Sequence, residues 1–448
     1  MLLCYAAHSQ LLNWSPSFIT EQSQNATITA NAAKGNKGLL NHAAGDVYVH
    51  IGAITNYSTG NGDWKHVQST WATTADSVHA ISTATNQWTF TLPGTVRSFF
   101  KMTDPNETIL KIAILFRSGD GNTKLSNSDG TDMFVPVYAT GLQTRITQPY
   151  RQPTFTPIPE VQTYKAGDAV SVSAIASSSA TLQLFYNGIA VASAAGTSIS
   201  ATPAAVNGNN QIIATATSGS VVKSDTLSFY VNSPVVVQEL PTGVRDGINY
   251  GNNGTSVTLV LFAPHKTRAA VIGEFNSWTR STLSEMNRTP DSSRYWITLT
   301  GLQAGVEYAY QYVVDDTLKV ADMFAEKILD PANDPYIDAE TYPSLKLYPA
   351  GQTDIVSVLE TGKPAYTWQA TNFAKPDKRN LVIYELLVRD FVAAHNWQTI
   401  KDSLPYLKKL GINAVEVMPF NEFEGNNSWG YNPDFYFAPD KYYGTDVA

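Results

Sequence analysis

Short segments in which apolar and polar residues alternate recur through the first 150 residues. The clearest are DVYVHIGAI (46–54), QWTFTL (87–92) and ILKIAILF (109–116), and clusters of Gly, Asn and Asp separate them. A period of two is typical of strands with one buried face. The pattern therefore predicts an all-β sandwich over residues 10–150.

Residues 151–233 begin with a proline-rich stretch, RQPTFTPIPE, and continue with four short alternating runs that carry almost no charge. Proline cannot donate to a central strand, so the stretch 151–160 predicts a linker. The runs are AVSVSAIA, TLQLFYNG, NQIIATAT and DTLSFYV. Their spacing predicts a small immunoglobulin-like sandwich that acts as a spacer.

A third β unit is predicted over residues 234–345, followed by a linker over 346–379. Its strands are expected in SVTLVLFAP, AAVIGEFNSW and GLQAGVEYAYQYVVD, which are bounded by turn-forming residues.

The hydrophobic period changes after residue 380. NLVIYELLVRDF (380–391) predicts a strand buried on both faces, residues 396–410 an amphipathic helix, and GINAVEVMP (411–419) a second strand. Pro405 predicts a kink or a late start of that helix. The predicted fold is therefore multidomain, with three all-β sandwiches followed by the first βαβ unit of a (β/α)₈ barrel.

Composition narrows the class of partner. The chain has 38 acidic against 30 basic residues, and charged residues make up 15%. Nucleic acids and anionic membranes require a basic face, so both are excluded as partners. No run of about 18 apolar residues exists, so no membrane span is predicted. The 23 Tyr and 9 Trp suit a neutral, hydroxyl-rich partner.

The amino terminus indicates secretion. MLLCYAAHSQ has a short apolar run and then small residues, which is typical of the end of a signal peptide. We interpret residues 1–9 as a signal-peptide remnant and expect a secreted, periplasmic or cell-surface protein. The single cysteine, Cys4, excludes an intramolecular disulfide.

Three segments carry a family resemblance. IYELLVRDF, LPYLKKLGINAVEVMPFNEF and SWGYNPDFYFAPDKYYGT, in this order, resemble the opening of the barrel in α-amylase-family glycoside hydrolases. The unit over 234–345, ending in ADMFAEKILDPAND, resembles the β-sandwich that precedes that barrel. The resemblance implies cleavage of α-glucosidic bonds with retention, through a carboxylate nucleophile and a carboxyl acid.

The resemblance also implies that the catalytic carboxylates lie on the fourth, fifth and seventh strands of the barrel. A barrel takes about 250 residues, whereas 69 residues run from Asn380 to Ala448. We therefore expect this chain to lack the catalytic trio, to be inactive by itself, and to bind no cofactor. Calcium is expected only in a full-length enzyme.

Four acids on or near the predicted barrel strands are expected to be structural. Glu385, Asp390, Glu416 and Glu422 are interpreted as buried hydrogen-bonded or ion-paired groups, with Arg389 as a partner.

One group of site residues follows from the resemblance. Tyr431 of the WGYNP motif is expected to stack on a sugar above the barrel, on a loop supported by Trp429 and Asn432. The alternative is that Tyr431 packs under the loop. Trp278 of GEFNSW corresponds to a position that binds glucan in some relatives and packs in others.

The first sandwich offers a second group. Trp64 and Trp71 lie in a segment that loosely resembles starch-binding modules, and two exposed indoles would form a flat platform for glucan. The alternative is that Trp64 and Trp71, like Trp88, are core residues of the sandwich.

The leading functional hypothesis is an α-amylase-type hydrolase acting on α-glucans, and the protein is expected to be a monomer. The alternative is a non-catalytic α-glucan-binding protein that uses the β-sandwiches. A third reading is a transferase such as a branching enzyme.

Overall fold

The computed structural model describes residues 10–160 and 164–445. The chain forms two compact units, one ending at Asn232 and one beginning at Ser233, and each is described by itself. The predicted signal-peptide remnant and Cys4 lie outside the described residues, so secretion stays a prediction. No helix in the described part of the chain is long and apolar enough to cross a membrane.

The first unit opens with a β-sandwich made of two antiparallel sheets. One sheet has the order β1-β2-β5-β4, and in the other β6 pairs with β3, β7 and β8. The strands are β1 (Leu12–Ser15), β2 (Thr27–Asn31), β3 (Val47–Thr55), β4 (Ile81–Ala84), β5 (Gln87–Thr91), β6 (Ile109–Ser118), β7 (Lys124–Leu125) and β8 (Met133–Pro136), with a short helix α1 (Val96–Phe99). Residues from both sheets form one core, including Ile28, Trp88, Val49 and Ile114. The predicted sandwich is confirmed.

A third sheet completes this unit. Its strands are β9 (Thr144–Gln148), β10 (Val172–Tyr186), β11 (Ile189–Ala201), β12 (Gly208–Ser218) and β13 (Val221–Val231). They follow the order β11-β10-β12-β13, and β9 pairs with β10. The predicted boundary at residue 150 is wrong for β9, which belongs to this sheet because Ile146 is buried in its core opposite Ala174.

The second unit begins with two further antiparallel sheets. The strands are β14 (Gly247–Tyr250), β15 (Ser256–Phe262), β16 (Ala269–Gly273), β17 (Asn287–Arg288), β18 (Arg294–Thr300), β19 (Glu307–Val314), β20 (Leu318–Val320), β21 (Ile328–Leu329) and β22 (Val356–Glu360). The orders are β14-β15-β18-β17 and β16-β19-β22-β21, with β20 on β19. The prediction of a linker over 346–379 is wrong for residues 356–360, which form strand β22. Val356 and Val358 are buried there, so this segment is part of the sheet.

The rest of the second unit is the predicted βαβ element and the segment that follows it. The elements are β23 (Ile383–Leu386), α2 (Val388–Phe391), α3 (Trp397–Lys409), β24 (Ala414–Val417), β25 (Asn421–Phe423) and β26 (Pro433–Pro439). Strands β23 and β24 pair in parallel, with Ile383 opposite Ala414, and α3 lies between them in sequence.

Three details of this element differ from the prediction. The first strand was expected to be buried on both faces, but β23 is mostly exposed, with Ile383 55% exposed. The first strand ends at Leu386, and Val388–Phe391 forms a helical turn because Val388 turns into the core and Arg389 pairs with Asp390. Helix α3 runs from Trp397 through Pro405 to Lys409, so proline does not delay its start. The Asn396 side chain caps the helix by accepting from the Thr399 amide at 2.9 Å.

Candidate functional site

The loop between β25 and β26 presents two aromatic side chains to solvent. Trp429 is 64% exposed and Tyr431 is 66% exposed. An exposed aromatic face covers the apolar C–H face of a sugar, while a phenol hydroxyl stays hydrated. The alternative expectation, that Tyr431 packs under the loop, does not match this exposure.

Gly430 fixes the loop between these two aromatic residues. Its φ of +87° favours glycine, and a β-carbon added there would lie 2.0 Å from the carbonyl oxygen of Pro419. The loop therefore lies directly against the residue that follows β24. Ser428 reinforces the turn, since its hydroxyl accepts from the Gly430 amide at 2.9 Å and also bonds Asn432.

Arg389 attaches the loop to the end of the first parallel strand. Its Nη1 donates to Asn427 Oδ1 at 2.6 Å and to the Ser428 carbonyl at 3.1 Å, and its Nε donates to Asp390 Oδ1 at 2.7 Å. The hydrogen bond from Arg389 lowers the pKa of Asp390. Two parallel strands and Arg389 thus hold the loop that carries Trp429 and Tyr431.

The segment before the barrel element also holds this loop. The side-chain amide of Asn426 donates to the Asn333 carbonyl at 2.9 Å. Asn333 belongs to the ADMFAEKILDPAND segment, so both segments that resemble the α-amylase family meet at this position.

A buried charged cluster lies on β25 and immediately after β26. Lys441 is 3% exposed, bonds Glu422 Oε1 and lies 3.2 Å from Asp334 Oδ1. Burial raises the pKa of Glu422 to about 8 and that of Asp440 to about 6. Burial alone would lower the pKa of Lys441, but attraction to Glu422 and Asp334 outweighs burial and raises it.

The four acids that sequence analysis singled out behave differently from one another. Glu422 and Asp390 form ion pairs, as expected. Glu385 and Glu416 face each other across β23 and β24, yet both are exposed and neither forms an ion pair with any described residue. The expectation that they are buried or paired is wrong in this structure, because these short strands leave those positions open to solvent.

A second aromatic cluster lies in the first sandwich, on β3 and the loop after it. Trp64 stacks on His50, with ring centroids 5.6 Å apart and an interplanar angle of 27°. Trp71 contacts the same imidazole edge-on, at 5.2 Å and 71°. Trp71 is 43% exposed, whereas Trp64 is partly buried against the core.

This geometry corrects the expected flat platform. The Trp64 ring lies at 27° to the His50 ring and the Trp71 ring at 71°, so the two indoles cannot be coplanar. They form an angled pair around His50 instead. Trp88 is 1% exposed and is a core residue.

His50 and Arg117 support the angled pair and were not identified from the sequence as site residues. The Arg117 guanidinium lies 5.6 Å from the Trp71 ring centroid. Burial, together with the Arg117 charge, lowers the pKa of His50. Period-two alternation along β3 could have placed His50 on the outer face, but not against two indoles from a distant loop.

Trp278 adopts the packing alternative. It is partly buried against a core cluster that includes Leu329, Val356 and Val358. Its backbone amide donates to the Gly273 carbonyl at 2.8 Å, which fixes the turn after β16.

In the described part of the chain no group of three or more His, Cys, Asp or Glu side chains is arranged to hold a metal ion. The Glu422 cluster is organised around the Lys441 ammonium instead.

Comparison with known proteins finds similar sequences among enzymes named for acting on glucans and malto-oligosaccharides. The chain is 27% identical over 188 residues to malto-oligosyltrehalose trehalohydrolase of Saccharolobus solfataricus, covering 42% of this chain and 28% of that protein. It is 29% identical over 201 residues to the 1,4-α-glucan branching enzyme GlgB of Pseudoalteromonas atlantica, covering 41% and 24%. GlgB of Vibrio cholerae is 29% identical over 206 residues, covering 44% and 25%. No family model matches the chain.

Among solved structures, the chain is similar to the Group B Streptococcus pullulanase SAP, with a TM-score of 0.34 and 16% sequence identity. The match covers 63% of this chain and 41% of that one. The catalytic module of the glycogen-degrading pneumococcal virulence factor SpuA has a TM-score of 0.34 and 20% identity, covering 45% and 32%.

The chain spans about a quarter of the length of the curated relatives it matches. Those relatives are α-amylase-family enzymes, and over about two fifths of its own length the chain is their homologue.

Proposed function

We propose that this chain is part of an α-amylase-type, retaining glycoside hydrolase that acts on α-glucans. The observation that carries the proposal is the anchored loop, in which Arg389, Pro419 and Asn333 hold two exposed aromatic residues above a parallel β-strand pair. The names of the curated relatives, which include 1,4-α-glucan branching enzymes, support the substrate class.

The barrel is the second element of the proposal. Strands β23 and β24 with helix α3 form a βαβ unit, and in barrels the functional loops follow the carboxyl ends of the strands. Arg389 and the loop that carries Tyr431 both follow such ends. We infer that residues 380–445 begin a (β/α)₈ barrel and that its active face is the one occupied by this loop.

The role of this loop in catalysis is sugar binding. Tyr431 would stack on the sugar in the subsite where the bond breaks, with Trp429 beside it and Asn432 bonded to Ser428. A retaining mechanism needs a nucleophilic carboxylate and a carboxyl acid about 5–5.5 Å apart. We assign neither role to any residue of this chain, and no step of the proposal uses a metal ion.

The test is binding and hydrolysis by the 448-residue chain. We expect it to bind maltoheptaose, to lose affinity about fivefold in Tyr431→Ala, and to keep it in Tyr431→Phe, because the ring rather than the hydroxyl stacks. We also expect no reducing-sugar release from soluble starch above buffer. Release that persists through repurification would contradict the absence of a catalytic pair.

A second candidate is a non-catalytic α-glucan-binding protein, and the Trp64–His50–Trp71 cluster favours it. Isothermal titration with maltoheptaose separates the two. If Trp71→Ala removes all binding and Tyr431→Ala changes nothing, glucan recognition belongs to the first sandwich and the loop after β25 has no part in it.

A further inference from the structure

A cavity of about 140 Å³ lies in the unit that ends at Asn232. Strands β1, β8 and β9 and the segment 150–157 enclose it. Its wall is largely apolar and aromatic, with Trp14, Phe134 and Tyr150 among its lining residues. The residues Trp64, His50 and Trp71 do not line this cavity, although its wall residue Phe134 contacts the Trp64 ring edge-on at 6.3 Å. The cavity has no part in the proposed function.

Two guanidinium groups line the same cavity. Arg151 donates from Nη1 and Nη2 to the two carboxylate oxygens of Asp225, at 2.8 Å each. The Ile146 amide donates to Asp225 Oδ2 at 2.7 Å. Asp225 is thus hydrogen-bonded to Arg151 and to the backbone of β9, and its single negative charge is shared between Arg151 and the second guanidinium, which it attracts without a direct bond.

That second guanidinium belongs to Arg145 on β9. Its Cζ lies 4.7 Å from the Trp14 ring centroid, and its Nε is buried without a hydrogen-bond partner. Among the residues that the structure describes, no carboxylate forms an ion pair with Arg145. Burial lowers its pKa, and the neighbouring Tyr138 hydroxyl is kept neutral because burial raises the pKa of that phenol.

An uncompensated buried cation is strongly unfavourable, and buried charges in proteins are usually paired. Arg145 therefore has no carboxylate of its own, because Asp225, which attracts it, is already ion-paired with Arg151. The cavity carries one net positive charge beside an aromatic wall, and this combination is complementary to a ligand with one carboxylate and an apolar body.

We propose that this cavity is a binding site for a small organic monocarboxylate, held by Arg145 and stacked against the aromatic wall. One water needs about 10–15 Å³ of such volume, so the cavity has room for a ligand of roughly ten non-hydrogen atoms. An aromatic carboxylate of the size of benzoate meets both requirements. A neutral glucan supplies no negative charge and does not.

The test compares benzoate with its neutral isostere benzamide on the whole chain, by calorimetry and by thermal unfolding. We expect benzoate to bind and raise Tm, and benzamide to bind at least about tenfold more weakly, since it lacks the charge that pairs with Arg145. Arg145→Met should abolish the benzoate effect, because it removes the charge that pairs with the carboxylate of the ligand. Arg379→Gln, at a guanidinium whose side chain is 81% exposed, is the control and should change neither result.

Equal effects of benzoate and benzamide on the parent chain would overturn the proposal, and this comparison does not depend on any variant folding. Retention of benzoate binding by Arg145→Met would overturn it as well. Inorganic phosphate binding as tightly as benzoate would show that charge alone is recognised, which contradicts the role given to the aromatic wall.

Discussion

The α-carbon of Gly430 lies so near Pro419 that a β-carbon there would sit 2.0 Å from the Pro419 carbonyl oxygen. Real β-carbons do not approach so closely, and the obstacle is backbone, which cannot rotate away. The contact joins the aromatic loop to the end of β24, so loop geometry depends on the absence of a side chain at residue 430.

Gly430→Ala should displace the loop and lower the free energy of unfolding by about 2–3 kcal/mol, through strain at positive φ and the backbone clash. Urea unfolding measures the loss. Gly411→Ala is the matched control, because Gly411 has the same φ of +87° with nothing within 4 Å of the added β-carbon. Equal losses in the two variants would show that the Pro419 contact is unimportant.

Under the second candidate function, in which the first sandwich binds glucan, Trp71→Ala should weaken maltoheptaose binding about five- to tenfold, because a stacked aromatic contributes about 1 kcal/mol beyond its buried area. Trp368→Ala removes a 72% exposed indole outside both clusters and should leave the affinity unchanged. Isothermal titration with maltoheptaose measures the affinity of both variants. An equal loss in Trp368→Ala would mean that any exposed indole suffices.

Glu422 predicts a pH-dependent stability. Its folded pKa is raised from 4.5 to about 8, so between those values the folded state keeps a proton that the unfolded state releases. The free energy of unfolding should therefore fall as pH rises from 5 to 8, by the order of 2 kcal/mol. The raised pKa of Asp440, to about 6, acts in the same direction at lower pH.

Glu422→Gln mimics the protonated acid and should flatten this dependence in urea titrations at pH 5, 6, 7 and 8. Glu424→Gln changes an exposed neighbour and should leave the slope intact. A steep slope that survives in Glu422→Gln would assign the pH dependence to another group.

Tyr312→Phe should destabilise the second unit by about 1–2 kcal/mol, because it removes a buried donor from a buried carboxylate. The Tyr310 and Tyr312 hydroxyls both donate to Asp322 Oδ2, at 2.9 Å each. Urea unfolding measures the change, and Tyr336→Phe, at a 77% exposed residue, should have no effect. A loss below about 0.5 kcal/mol would mean that Tyr310 alone satisfies Asp322 Oδ2, while the Phe324 amide donates to Oδ1.

Sequence alternation was sufficient for most strands, because a buried face imposes a local period of two. β5, β15, β16 and β19 fall inside predicted segments, and β3 and β6 extend beyond theirs by one and two residues. Domain boundaries were less accurate, since they depend on remote pairing. Strand β9 joins β10 and β22 joins β19, and neither partner can be read from the local pattern.

The site was predictable where a continuous motif carries it. Trp429 and Tyr431 follow from the WGYNP segment, and both are exposed on the loop. Contacts between remote residues could not be predicted. Lys441 and Asp334, for example, are more than a hundred residues apart in sequence. Likewise, Trp64 and Trp71 pack at different angles around His50 of β3, and the local pattern does not show this contact.

Strand β9 gives the first unit a mechanical property. The chain leaves β8 and enters the ladder of β10 through Thr144–Gln148. A flexible linker would let the first sandwich rotate freely relative to the sheet of β9–β13. Here such a rotation first requires the hydrogen bonds between β9 and β10 to break. Tension applied to the first sandwich would therefore be transmitted to the sheet of β9–β13 as a load on the hydrogen bonds between β9 and β10.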